Sequence, residues 1–127
     1  MLGDAFARTL WRIDPSAGRI EATIPLPFVP RSVAAGVGAV WVTAELDDVV
    51  ARINPATDRI VARIKVGREP SGVAVGDGSV WVADTIDRTV TRIDPSSNRV
   101  VATIPVAASP NAIAVGEGSV WVAGDAR

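Results

Sequence analysis

Residues 70–106 read PSGVAVGDGSVWVADTIDRTVTRIDPSSNRVVATIPV, and this stretch decides the fold. Four short runs stand out: SGVAV (71–75), SVWVA (79–83), TVTRI (89–93) and RVVATIPV (99–106). Each is rich in Val, Ile, Thr or Trp and is bounded by Gly, Pro, Asp or Asn, the pattern of strands separated by turns. No segment sustains the i, i+3, i+4, i+7 apolar spacing of a helix. Gly76-Asp77-Gly78 closes the first hairpin. In the last one, Asn98 is a residue type that tolerates positive φ, and Asp94 is placed to hydrogen-bond its own turn through its side-chain oxygens.

Outward from this stretch the pattern recurs. PNAIAVGEGSVWVA from Pro110 repeats PSGVAVGDGSVWVA from Pro70, and RIDPSAGRIEATI, RINPATDRIVARI and RIDPSSNRVVATI begin at Arg12, Arg52 and Arg92. Trp41, Trp81 and Trp121 are forty residues apart, as are Asp14, Asn54 and Asp94, and also Gly18, Asp58 and Asn98. Four antiparallel strands (a to d) in every forty residues describe a β-propeller blade. Small residues on strand a, such as Gly72, Ala74, Ala112 and Ala114, suit the crowded axis. The strand-b Trp fills the wider gap between blades as a core residue rather than a ligand cage. The expected division is strands c and d of a shared blade at 8–29, a blade at 30–69, a blade at 70–109, and strands a and b of a shared blade at 110–127.

Three blades' worth is fewer than the roughly four needed to close a ring. The expectation is a six-bladed homodimer in which strands a and b of one chain pair with c and d of the other, twice over. Trp11 and Trp121 are the expected interface residues. A nine-bladed trimer, a piece of a longer propeller, and a designed or trimmed self-assembling fragment are the alternatives.

The blocks SVWVA, TVTRIDPSSNRVVATIPV and SGVAVG resemble the bacterial YVTN-type, surface-layer-like β-propeller repeats, over nearly the whole chain. GRIEATIPLP (18–27) is more weakly similar to the repeats of virginiamycin B lyase. That resemblance implies a propeller enzyme using Mg²⁺ and a catalytic His, but this chain has no His for the role. Gluconolactonase-like propellers, with a carboxylate-bound metal in the channel, are a fold-level analogy.

Composition narrows the chemistry. The 127 residues contain no Cys, His or Tyr, and 13 Lys and Arg stand against 14 Asp and Glu. Cysteine and histidine catalysis, thiolate metal sites and disulfides are excluded. The balance of charge lacks the basic footprint of a nucleic-acid binder. No run of eighteen apolar residues spans a membrane, and no secretory leader is read at the start; the location is left open, with cytoplasmic as the default expectation. No catalytic constellation is recognisable.

Ligands of propellers commonly sit where the d–a and b–c loops surround the channel mouth. The d–a positions are Arg31, Ser71 and Asn111, which differ while the scaffold around them repeats. The b–c loops are acidic, with Glu45, Asp47, Asp48, Asp84, Asp87 and Asp125. The ligand-binding candidates are therefore Arg31, Ser71, Asn111, Glu45, Asp84 and Asp125. Glu45, Asp47, Asp84 and Asp87 are weaker candidates for oxygen ligands of Ca²⁺ or Mg²⁺, with solvated turn residues as the competing reading. The functional expectation is a non-enzymatic scaffold or binding module with a small-molecule or peptide ligand and no expected cofactor. A divalent-metal-dependent lyase or hydrolase is the alternative.

Overall fold

Asp14, Asn54 and Asp94 each end a strand and turn the chain back on itself. Their Oδ1 atoms accept the backbone N–H two residues on, from Ser16 (2.9 Å), Ala56 (2.8 Å) and Ser96 (3.0 Å). Their carbonyls accept the N–H of Gly18, Asp58 and Asn98, which take left-handed φ values of 66°, 59° and 58°. At the other hairpin, Val37, Asp77 and Glu117 (φ 49°, 53° and 51°) precede Gly38, Gly78 and Gly118, also left-handed. Two successive left-handed residues make the turn whose twist matches flanking strands. Both sets of turns recur at the forty-residue spacing.

The computed structural model describes residues 8–125. Twelve strands follow in order: β1 (Thr9–Asp14), β2 (Arg19–Pro25), β3 (Pro30–Gly36), β4 (Ala39–Ala44), β5 (Val49–Asn54), β6 (Arg59–Lys65), β7 (Pro70–Gly76), β8 (Ser79–Asp84), β9 (Thr89–Asp94), β10 (Arg99–Pro105), β11 (Ser109–Gly116) and β12 (Ser119–Asp125). They form two complete four-stranded antiparallel sheets, β3–β6 and β7–β10, and two separate hairpins, β1–β2 and β11–β12. The architecture is all-β and propeller-like, and it is a partial propeller. Within each c–d pair a bulge recurs at Glu21, Val61 and Val101, the residue each register skips. A bulge bends its strand and leaves one residue unpaired, and Val61 and Val101 are exposed.

The first strands of successive blades, β3, β7 and β11, lie against one another. The approach is tight: a Cβ built on Gly36 would lie 2.6 Å from Val75 Cγ1. Two apolar layers hold the blades together. One joins Trp41, Val50 and Ile64 to Val73, Val80, Val82 and Ile93 of the next blade. The other joins Ile24, Leu26 and Phe28 to Val42, Ala44, Ala51 and Ile53. Trp41 is fully buried and Trp81 is 8 % exposed, whereas Trp121 is 58 % exposed.

The strand-c arginines make contacts beyond their own strand. Arg52 stacks over Trp41, with Cζ 4.9 Å from the ring centre. It also reaches into the next blade's c–d turn, where it donates to Asn98 Oδ1 (2.7 Å) and the Pro95 carbonyl. Arg12 makes the matching reach to Asp58 Oδ1 at 2.7 Å. Arg92 stacks over Trp81 at 5.0 Å and donates to Ser79 Oγ at 2.9 Å. A planar fork satisfies a turn and stacks on an indole together, which an ammonium cannot do.

Candidate functional site

Strand β3 begins with Pro30-Arg31, and its equivalents in β7 and β11 are Pro70-Ser71 and Pro110-Asn111. One residue past the strand-b partners of these prolines, Ala44, Asp84 and Gly124, come Glu45, Thr85 and Asp125. The structure gathers these six positions, with Glu69 and Ser109, around one polar cavity of about 280 Å³. The pairs differ in chemistry from blade to blade. Arg31 Nη1 donates to Glu45 Oε2 at 2.9 Å. Thr85 Oγ1 lies 2.8 Å from Ser71 Oγ and 2.6 Å from the Pro110 carbonyl. Ser71 is buried and its hydroxyl also reaches the Ala83 carbonyl at 3.3 Å. Asn111 and Asp125 complete the set, and Asp125 is itself engaged in an interaction.

Five of the six residues read as ligand-binding candidates therefore line one cavity: Arg31, Ser71, Asn111, Glu45 and Asp125. Asp84 does not. It is fully buried beneath the loops, where its Oδ2 accepts from Thr89 (2.9 Å) and Thr91 (2.6 Å) and its Oδ1 has no partner. Burial raises its pKa above the ordinary carboxylate value, against the opposing pull of Thr91, Thr89 and the Gly67 N–H. The physical reason for the misplacement is strand alternation. The true repeat partner of Glu45 and Asp125 is Thr85, and a one-residue step sends the side chain to the other face. Adding forty to Glu45 finds Thr85 directly; Glu69 and Ser109, at a repeat position where the residue type varies, carry no such signal.

The other acids serve loops. Asp48 Oδ1 accepts the Glu69 N–H at 2.9 Å. Asp87 accepts both the Arg68 backbone N–H (2.9 Å) and the Arg68 Nε–H (2.6 Å). That pairing holds the Asp87 carboxyl below its ordinary range. Glu45, Asp47, Asp84 and Asp87 are spread over different loops and faces. Among the described residues no three carboxylates converge to hold a metal ion. A second cleft of about 450 Å³ runs beside Lys65, Asp87 and Thr103, and a third of about 530 Å³ lies at the a–b turns beside Trp81.

The polar cavity carries one cation, Arg31, and three carboxylates, Glu45, Glu69 and Asp125. The hydroxyls of Ser71 and Thr85 face each other and backbone carbonyls.

Fold and site together define a blade-repeat protein with a polar loop face. The YNCE-like beta-propeller family matches residues 5–126, and the chain belongs to that family. The finer YVTN-type resemblance is carried no further by this match. No curated protein sequence is significantly similar to the chain. Among solved structures, virginiamycin B lyase from Staphylococcus aureus is 22 % identical with a TM-score of 0.75, covering 91 % of this chain and 41 % of that one. A functionally unknown protein from Desulfotomaculum acetoxidans is 17 % identical with a TM-score of 0.79, over 92 % and 42 %. The WD40 repeats of RRP9 reach a TM-score of 0.80 at 15 % identity, over 94 % and 39 %. At these identities the likeness is one of fold. The chain spans about two fifths of each of these structures.

Proposed function

We propose that the chain is a non-enzymatic propeller module that completes a six-bladed ring with a second copy and binds a cationic ligand or peptide segment at its polar mouth. The observation that carries the binding half is the cavity itself. Residue types vary there, at Arg31, Ser71 and Asn111 and at Glu45, Thr85 and Asp125, while the turns around them repeat. Arg31 and Glu45 pair with each other, and Glu69 adds a further carboxylate to the lining. Charge-assisted hydrogen bonds to such carboxylates are worth about 1.5–3 kcal/mol each.

Ring completion is supported by the open edges of β1 and β12, which belong to different hairpins of this chain. In a complete blade Trp81 pairs with Arg92 and Val82 with Thr91. The same register sets Trp121 against Arg12 and Val122 against Trp11 of the second copy. All three apolar residues are exposed in the single chain. Unpaired edges with apolar faces are the surfaces that strand addition covers.

Titrating ¹⁵N-labelled protein with a tetralysine peptide tests the mouth. The expected outcome is shifts at Glu69, Thr85 and Asp125, with affinity falling about tenfold in Glu69→Gln. Absence of shifts at millimolar peptide refutes a cationic ligand. The lyase reading gains no observation here, since the chain lacks His and no group of carboxylates placed to hold a metal ion occurs among the described residues.

A further inference from the structure

We infer that Asp48, which is not part of the polar cavity's lining, positions Glu69 there to meet a cationic group of the ligand. That assignment rests on the cationic reading of the mouth and adds a positioning residue, supplied by the b–c loop of the preceding blade.

Glu69 stands apart from the cavity's other charged groups. Arg31 and Glu45 are taken up by each other, and Asp125 is engaged in an interaction of its own. Ser71 and Thr85 face each other and the Pro110 carbonyl. Among the described residues, no hydrogen bond or ion pair reaches the half-buried side chain of Glu69. Its carboxylate lines the cavity and is free to accept charge-assisted hydrogen bonds from an ammonium or guanidinium.

The Glu69 backbone, by contrast, is held at both ends. Its φ of 59° is left-handed, which costs a residue bearing a Cβ and persists only where the surroundings over-determine it. Asp48 Oδ1 accepts the Glu69 N–H at 2.9 Å, and the Glu69 carbonyl accepts the Thr85 N–H at 3.0 Å. The other oxygen of Asp48, Oδ2, lies 3.9 Å from Lys65 Nζ, which leaves Oδ1 to the linker. Beside Glu69, the Arg68 carbonyl accepts the Ile86 N–H at 3.2 Å. The b–c loops of two successive blades thus grip the linker at residues 68 and 69.

Comparison of the repeats isolates the part that Asp48 plays. The equivalents of Glu69 are Val29 and Ser109, and neither takes a left-handed φ. The equivalents of Asp48 are Arg8 and Arg88, whose side chains only donate and cannot accept a linker N–H. Ser109 instead enters β11 opposite Asp125. Arg88 and Asp48 share one backbone conformation, with φ 56° and 57°. The loop is therefore the same in both blades and the acceptor is what differs.

Tetralysine titrations of ¹⁵N-labelled variants test the assignment. The intraresidue HN–Hα Overhauser effect of residue 69, strong at positive φ, reports its backbone. Asp48→Gly removes the acceptor at a left-handed position that glycine adopts freely. It is expected to weaken binding about fivefold or more and to move residue 69 out of the left-handed region. Asp48→Asn keeps an oxygen acceptor, loses the charge, and is expected to bind within about twofold of the parent. Equal losses in both variants assign the effect to the charge of Asp48 and overturn the inference. With Glu69→Gln already present, Asp48→Gly is expected to change affinity by less than about twofold, because it acts through that carboxylate. A full further loss there, or an unaltered residue 69 in Asp48→Gly, also overturns it. A parent that gives no response to millimolar tetralysine refutes the cationic mouth, and the ligand role of Glu69 with it. In that case the Overhauser effect still decides, separately, whether Asp48 holds the linker.

Discussion

Asp84 shows how much a single buried carboxylate decides. Its pKa is raised, by burial first, above an ordinary 3.8. The protonated form is therefore favoured by folding, and its stabilising contribution is complete below 3.8 and lost as pH rises through the folded value. The expected outcome for Asp84→Asn is that the melting temperature of the parent gains on the variant as pH falls from 7 towards 4. A flat difference across that range refutes it. Thr91→Val removes one of two side-chain donors and is expected to cost about 1–3 kcal/mol in urea unfolding. Asp94, lowered chiefly by Ser96, has the opposite sign: its contribution holds above the ordinary range and is lost as pH falls through its lowered value. Arg52 is the other residue to probe. Arg52→Ala loses a stacked guanidinium and two turn contacts, so about 1–3 kcal/mol is expected, and Arg52→Lys should not restore it. Arg12→Ala, at a more exposed pair, should cost well under that.

At the scale of the hairpin, turn chemistry was legible because it is local. Gly18, Asp58 and Asn98 differ in side chain and share one backbone conformation, which their spacing alone announces. The a–b turn yields a clean test at Glu117, an exposed residue at φ 51°. Glu117→Gly is expected to stabilise by up to about 1 kcal/mol, and Glu117→Val to destabilise by about 1–2 kcal/mol, in thermal unfolding. Strand runs read from composition match the observed elements to within a residue: 79–83 against β8, 89–93 against β9. The left-handed positions at Asp48, Glu69 and Arg88 escaped the sequence. They sit where a d–a linker crosses b–c loops, and the crossing bonds, such as Glu69 N–H to Asp48, span twenty-one residues.

For the whole molecule, the consequence of the proposed ring is a change in tryptophan environment. Trp11 and Trp121 are half-exposed in the single chain and become buried when strands c and d of one copy meet a and b of another. Dilution through the dissociation constant is expected to shift tryptophan emission to the red. Native mass should read twice 13.2 kDa at higher concentration. Constant emission across the whole range, with a mass of one chain, contradicts the assembly. The polar mouth belongs to this scale too, since its three pairs come from β3, β7 and β11 and the residues facing them.

The amino-acid order alone determined what depends on neighbours in the chain: the repeat, the strands, both hairpin turns, and the pose of each indole. Trp41, Trp81 and Trp121 all donate Nε1–H to the carbonyl five residues back, at 3.3, 3.1 and 2.9 Å, whether buried or not. Only the packed structure decided which indole is covered, that Asp84 turns inward while Thr85 reaches the cavity, and that Arg52 staples a turn forty-six residues away. Those outcomes depend on contacts between blades. A one-residue step along a strand, or one missing neighbour, reverses them without changing the local pattern.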